Sequence, residues 1–347
     1  MTLTYALLVE PSFNRVYTQQ APQVLEAELA FLDAMVLGGA VQAVRTVRHG
    51  RAPFVEIDVA ERLTPDDLAA VVELSSVYLV FEVRDGALAP VDAAPVACYD
   101  DDLLTTLRYS GKTNEQFTKL LINLAVAASD AVTERRLAGD RVRLLDPMAG
   151  RGTTLNQGLM MGFDVAGVEI DQRDTDAYVQ FLETWLKDKR IKHRMQTWTF
   201  RKNRPMTGHE ALITIKRSAV ADEPDQIVDV IHDDTLSTRE HLKRSSIDVI
   251  VGDLPYGIQH GSRTEQWGSS RNAAALLADA LPVWRAVLRG GGSICLAFNR
   301  RTLPRVELVA LLADAGYRVI GPEDTSFEHR VDRSITRDLV VAVKPAS

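Results

Sequence analysis

Residues 247–261 read IDVIVGDLPYGIQHG: a mostly apolar run that stops on Asp253, Leu254, Pro255, Tyr256 and Gly257. These groups suit one chemical task, which is to hold a flat, ring-conjugated amine. Such an amine is a weak nucleophile because its lone pair is delocalised, and two acceptors on its N–H groups favour the pyramidal, reactive form. The Asp253 carboxylate is one acceptor. The Leu254 carbonyl is the other, since the following proline biases Leu254 toward an extended backbone. Tyr256 offers a face on which a nucleobase stacks, and Gly257 lets the chain turn away. Asp253 then acts by accepting a hydrogen bond and stabilising developing positive charge, and orientation supplies much of the rate.

A second constellation lies upstream. LLDPMAGRGTT, residues 144–154, reads as a strand ending at Asp146, a turn through Gly150 and Gly152, and a helix opening at Thr153 or Thr154. No third glycine completes a dinucleotide fingerprint, and no Gly-Lys-Thr closes the turn as in a P-loop. The Gly111–Thr113 GKT does not follow a buried strand, so it is no P-loop either. The next strand ends in Glu169 and Asp171, where an acid binds ribose hydroxyls. A third ends in Asp233 and Asp234. Strand ends that carry acids and no phosphate loop suit a ligand with ribose, an adenine amine and a cationic centre. S-adenosylmethionine is such a ligand.

Both constellations need a scaffold that aligns strand ends. From about residue 110, near-continuous apolar strands alternate with helices, which predicts a doubly wound α/β unit. The fold class expected is a Rossmann-like sheet, mostly parallel and seven-stranded, with the last strand antiparallel. Residues 1–95 predict a smaller α+β domain, with Thr64 capping a helix. The Ala-, Pro- and Gly-rich stretch from Gly86 reads as connecting chain. The expected boundaries are an N-terminal domain 1–95, a linker 96–108 and a catalytic domain 109–347.

DPMAGRGTT resembles the DPxxGxGT cofactor loop of class I S-adenosylmethionine-dependent amino-methyltransferases, and DLPYG resembles their (D/N)PPY catalytic loop. YSGKTNEQFTKLL, residues 109–121, is similar to the segment that closes over the cofactor. The resemblance is greatest to the enzymes that modify the 2-amino group of guanosine-10 in tRNA and to related RNA methylases. It implies that Asp146, Met148, Gly150, Gly152 and Thr153 line the cofactor pocket and that Glu169 holds the ribose. It implies that Asp234 or Asp233 meets the adenine amine, and that Thr113 and Phe117 cover the methionine end. Asp253, Leu254, Pro255 and Tyr256 would hold the target base. Leu254 replaces the first proline of the family loop but keeps the carbonyl. Residues 1–95 show no match to the family's RNA-binding THUMP module.

The composition bounds the partners. The 347 residues carry a net charge of −7, against a protein that coats nucleic acid over its whole surface. Residues 185–217 reverse that sign locally, with ten Lys or Arg and two acids around Trp198 and Phe200. This insert suits phosphate contact with base stacking, or else a solvated charged surface. Arg330, Arg333 and Arg337 add charge before the last strand, next to His329. Two cysteines, Cys98 and Cys295, suit a reducing cytoplasm and exclude a multi-cysteine metal site. No metal, signal peptide or membrane span is expected. The expected partner is RNA, with tRNA favoured, through 185–217 and the N-terminal domain. A DNA adenine methyltransferase, an inactive S-adenosylmethionine- or RNA-binding protein, and methylation of a carboxamide nitrogen remain alternatives.

Overall fold

The computed structural model describes residues 2–12, 15–109, 111–201, 207–216, 224–255, 270–321, 327–330 and 335–346. The chain opens with β1 (Leu3–Val9), α1 (Arg15–Leu32), β2 (Val41–His49), β3 (Ala52–Val59), α2 (Pro65–Val72), β4 (Val77–Arg84) and β5 (Ala87–Pro90). The strands form an antiparallel sheet in the order β2-β3-β1-β4-β5. The first six elements have the βαββαβ order of a split βαβ unit. Thr64 starts α2 as predicted: its side chain accepts from the Asp67 N–H while the Asp67 side chain reaches back to the Thr64 backbone. Part of the stretch expected to be connecting chain is strand β5 instead, hydrogen-bonded to β4. Residues 96–108 carry a short helix, α3 (Asp102–Thr105), whose Leu103 is fully buried.

The second half builds α4 (Glu115–Ala127), α5 (Asp130–Leu137), β6 (Arg143–Asp146), α6 (Thr153–Met160), β7 (Asp164–Glu169) and α7 (Gln172–Asp188). It continues with β8 (His193–Arg201), β9 (Thr207–Ile215), β10 (Gln226–His232), α8 (Thr238–His241) and β11 (Ile247–Asp253). It ends with α9 (Ser270–Val287), β12 (Leu288–Asn299), α10 (Arg305–Asp314), β13 (Arg318–Ile320), β14 (His329–Arg330) and β15 (Thr336–Val343). The result is a methyltransferase-like α/β architecture with one large mixed sheet, in the order β13-β15-β12-β11-β6-β7-β10-β9-β8. The centre, β12-β11-β6-β7-β10, is parallel, and β15 runs antiparallel to β12 and β13.

Among the described residues the sheet has ten strands, where the sequence reading expects seven. The basic segment 185–217 accounts for most of the difference. After α7 it folds as the antiparallel hairpin β8–β9 and continues the sheet past β10. Its charges mask a period-two pattern in which Ala211, Ile213 and Ile215 are buried. The two-residue β14, paired with β15, is the tenth strand.

Alternation along the central strands feeds two cores. Leu144, Val165, Val249 and Val251 pack with Phe117 of α4, Leu155 of α6 and Leu182 of α7. Leu145, Ala166 and Ile250 face the other way, onto Leu281 and Trp284 of α9 and Leu308 of α10. The first core is continuous with the N-terminal unit through Tyr5, Leu25 and Ile57. Both faces of the central sheet are therefore covered, which is why its strands read as apolar runs. Among the described residues no helix is long and apolar enough to cross a membrane.

Candidate active site

The carboxyl ends of β6, β7, β10 and β11 open on one side of the sheet, the usual place for ligands in such folds. A cavity of about 180 Å³ lies there. Met148, Glu169, Asp234, Asp253 and Pro255, all singled out in the sequence, are in its wall. Pro147, Val168, Ile170, Thr235 and Leu276 complete it and escaped the sequence reading. Ile170 is a large apolar residue left 44% exposed directly after Glu169, and that placement marks it as one wall for a flat ring.

The glycine turn is built by backbone geometry and crowding. Gly150 and Gly152 have φ of 51° and 77°, a region costly for residues with a Cβ. Gly152 also lies under Tyr178, and a Cβ there would fall 2.3 Å from the ring. The turn is fastened from β7: Glu169 Oε2 accepts from Gly150 N and Oε1 from Asp171 N, each at 2.8 Å. Burial raises the Glu169 pKa. Two backbone bonds leave lone pairs on this carboxylate, so it can fasten the loop and still accept from ribose hydroxyls.

Asp146 lies beneath the turn, buried, and accepts from Met148 N at 3.0 Å. Burial pushes its pKa up to about 7, against the pull of the Thr154 hydroxyl and the Met148 N–H and with the help of the Glu169 and Asp253 charges. Between the ordinary value of 3.8 and about 7 the folded chain binds more protons at this group than the unfolded chain. This contribution to stability is therefore lost as pH rises through that window. Burial and Glu210 move Asp229 in the same direction, also to about 7. The Asp146 share is expected to appear as a shallower fall in urea midpoint between pH 5 and 8 for Asp146→Asn than for the wild type. Equal slopes would show that Asp146 is not the group titrating.

The two neighbouring acids after β10 part company. Asp234 faces the cavity, and its Oδ1 accepts from Leu236 N at 2.9 Å. Asp233 is fully buried, accepts from Asp234 N at 2.7 Å and lies 2.8 Å from His241 Nε2. Burial works to lower the His241 pKa, but Glu210 and Asp233 outweigh it and leave it raised. Of the pair left open in the sequence, Asp234 is the one placed to meet a ligand.

Of the residues expected at the cofactor pocket, Asp146, Gly150, Gly152, Asp233, Thr153, Phe117 and Thr113 are not in the cavity wall. Thr153 Oγ1 is 2.8 Å from the Tyr109 hydroxyl and joins α6 to the 109–113 segment. Phe117 is fully buried in the core. Thr113 donates to Asp253 Oδ2 at 2.8 Å. Leu254 departs from a proline for a visible reason: its side chain is buried in the core beside α9, and its N–H donates to Ala297 O at 2.9 Å. Pro255 is exposed. Tyr256 and Gly257 lie outside the described residues.

Of the charged residues before the last strand, Arg337 differs from the surface role expected of it. Arg337 is buried, with Nη2 3.2 Å from Asp253 Oδ2. His329 is buried, donates through Nδ1 to Phe327 O at 3.0 Å, and has its pKa lowered mainly by burial. Arg333 and the Arg330 side chain lie outside the described residues. In the hairpin, Trp198 is 41% exposed. Lys187 is paired with Glu183, and Lys189 with Asp100 and Asp102, so the basic face is smaller than the sequence suggests.

The cavity has apolar walls, carboxylates from three strand ends and, among the described residues, no Lys or Arg in its lining. Fold and site together define a methyltransferase of the Rossmann-like class. Residues 131–308 match the family described as RMKL-like, methyltransferase domain (UPF0020), and the chain belongs to that family. S-adenosylmethionine is the methyl donor of this class, and its ribose, adenine amine and cationic centre fit the carboxylates and apolar walls described.

No curated protein matches the chain significantly. Solved structures that resemble it include an S-adenosylmethionine-dependent methyltransferase from Methanosarcina mazei, 14% identical over 60% of this chain and 94% of that one, with a TM-score of 0.39. Another is a TehB-like methyltransferase from Corynebacterium glutamicum, 15% identical over 66% and 97%, with a TM-score of 0.34. A third is an rRNA methylase from Streptococcus thermophilus, 12% identical over 59% and 88%, with a TM-score of 0.32.

Proposed function

We propose that this enzyme methylates the exocyclic amine of a nucleobase, guanine in tRNA or another structured RNA being the favoured substrate, in the cytoplasm. The observation that carries the reading is the placement of Asp253 and Pro255 on the wall shared with Met148, Glu169 and Asp234. The acceptor loop and the cofactor loop thus border one cavity, although more than a hundred residues separate them in the chain. S-adenosylmethionine, when bound, supplies an electrophilic methyl group.

In this reading the protein's own groups hold and orient. Asp234 accepts from the adenine amine and Glu169 from the ribose hydroxyls, while Val168, Ile170 and Leu276 exclude water from the ring. Asp253 and the Leu254 carbonyl accept from the target amine and Tyr256 stacks on its ring. Only a flipped or unpaired base reaches such a loop. The exposed Trp198, with Arg194 on the same outer strand and Lys192 just before it, supports a path for the polymer along the hairpin. The N-terminal sheet is a second candidate surface for RNA.

The test is nucleoside mass spectrometry of total RNA and DNA from a strain lacking the gene. Loss of one N-methylated nucleoside from tRNA, restored by the wild-type gene, is the expected result. Loss of N6-methyladenine from DNA alone would replace the proposal with the DNA reading.

A further inference from the structure

The last strand brings a cation to the catalytic loop. β15 pairs with β12 so that Asn299 is opposite Arg337, and β12 pairs with β11 so that Ala297 is opposite Asp253. The Arg337 side chain crosses that gap, buried, to place Nη2 3.2 Å from Asp253 Oδ2. Thr113 donates to the same oxygen at 2.8 Å. The guanidinium carbon lies 4.5 Å from the Phe117 ring centroid. His329, opposite Arg337 across the β14–β15 pair, packs on Phe117 with ring centroids 4.9 Å apart. Tyr17 of α1 meets His329 edge-on at 6.2 Å. A row of rings, Tyr17, His329 and Phe117, therefore backs the guanidinium, which in turn touches the carboxylate.

We propose that Arg337 is a positioning residue for Asp253: with Thr113 it holds Oδ2 and fixes the rotation of the carboxylate. The inference rests on the reading of Asp253 as the acceptor for the target amine. A charge buried this deeply requires partners, and here one of them, Asp253, borders the reaction cavity. A carboxylate held in one rotation is a directional hydrogen-bond acceptor, which orients an amine for attack on a sulfonium methyl. Arginine suits the position because a planar guanidinium stacks on a ring and bonds in a fixed direction. A lysine ammonium does neither as well.

The experiment uses the full chain, labelled S-adenosylmethionine and RNA from a strain lacking the gene. Arg337→Met is expected to lower kcat about 100-fold while the KM for S-adenosylmethionine stays within about three-fold, the pattern of an interaction expressed in the transition state. Arg337→Lys should fall between this variant and wild type, and added methylguanidine should restore part of the Arg337→Met activity. Wild-type kcat in Arg337→Met, alongside an inactive Asp253→Ala, would overturn the role of Arg337 and leave the acceptor reading standing. Loss of cofactor binding together with kcat, without methylguanidine rescue, would also overturn it, by showing a purely structural part. An active Asp253→Ala, or a wild-type enzyme inert on that RNA, would instead overturn the reading beneath the proposal.

Discussion

Replacing Asp253 with alanine is expected to reduce methyl transfer by about 10²–10³-fold, the usual cost of removing one oriented group that meets developing charge. Cofactor affinity should change far less. Among the described residues, Asp253 is one of three carboxylates on the cavity wall, and Glu169 and Asp234 carry the contacts assigned to ribose and adenine. The fall should therefore appear in kcat measured with saturating cofactor, and calorimetric titration with S-adenosylhomocysteine should give a dissociation constant within about ten-fold of wild type. Asp253→Asn keeps an acceptor oxygen but loses the charge that faces Arg337, so it should lie between alanine and wild type. Unchanged turnover in the alanine variant would remove Asp253 from the reaction.

Gly152→Ala is expected to have the largest effect on stability. Its φ of 77° strains any residue with a Cβ, at roughly 1–2 kcal/mol. The new methyl would also lie 2.3 Å from a carbon of the buried Tyr178 ring, and overpacking of this kind adds about 1–3 kcal/mol. Gly150 provides the control. Its φ of 51° carries the same kind of strain, but no atom lies within 4 Å of its virtual Cβ. Gly150→Ala should cost roughly 1–2 kcal/mol and Gly152→Ala about twice that or more, read as the shift in urea midpoint at constant slope. Equal shifts would show that Tyr178 yields and that backbone strain alone sets the cost. The comparison also tests why the loop has two glycines: one for the turn, one for the turn and the ring above it.

Local signals made much of this architecture legible. Apolar runs marked the central strands, because a sheet covered on both faces needs no polar alternation. Thr64 followed by Asp67 marked the start of α2 through its reciprocal cap. The hairpin β8–β9 was not legible, because its basic residues dominate the composition while the stabilising signal is the weaker alternation of Ala211, Ile213 and Ile215. Strand β5 was hidden in an Ala- and Pro-rich stretch that pairs only at a sheet edge, where proline is tolerated.

The chemistry of the site was written in short contiguous motifs, since a turn that brings backbone close to a ligand restricts its own residues. Met148, Asp253 and Pro255, which line the cavity, were legible as candidates for that reason. The choice between Asp233 and Asp234 was not, because two adjacent residues differ only in direction, and direction is set by His241 arriving from α8. Leu254 looked like a departure until the core beside α9 supplied its reason. Arg337 looked like surface charge until strand pairing carried it across β12 to Asp253. Residue types and spacing report what a loop can bind, because those constraints act within a few bonds. Which distant side chains hold the loop in place depends on sheet order and burial, and those arise only when strands far apart in the chain lie side by side.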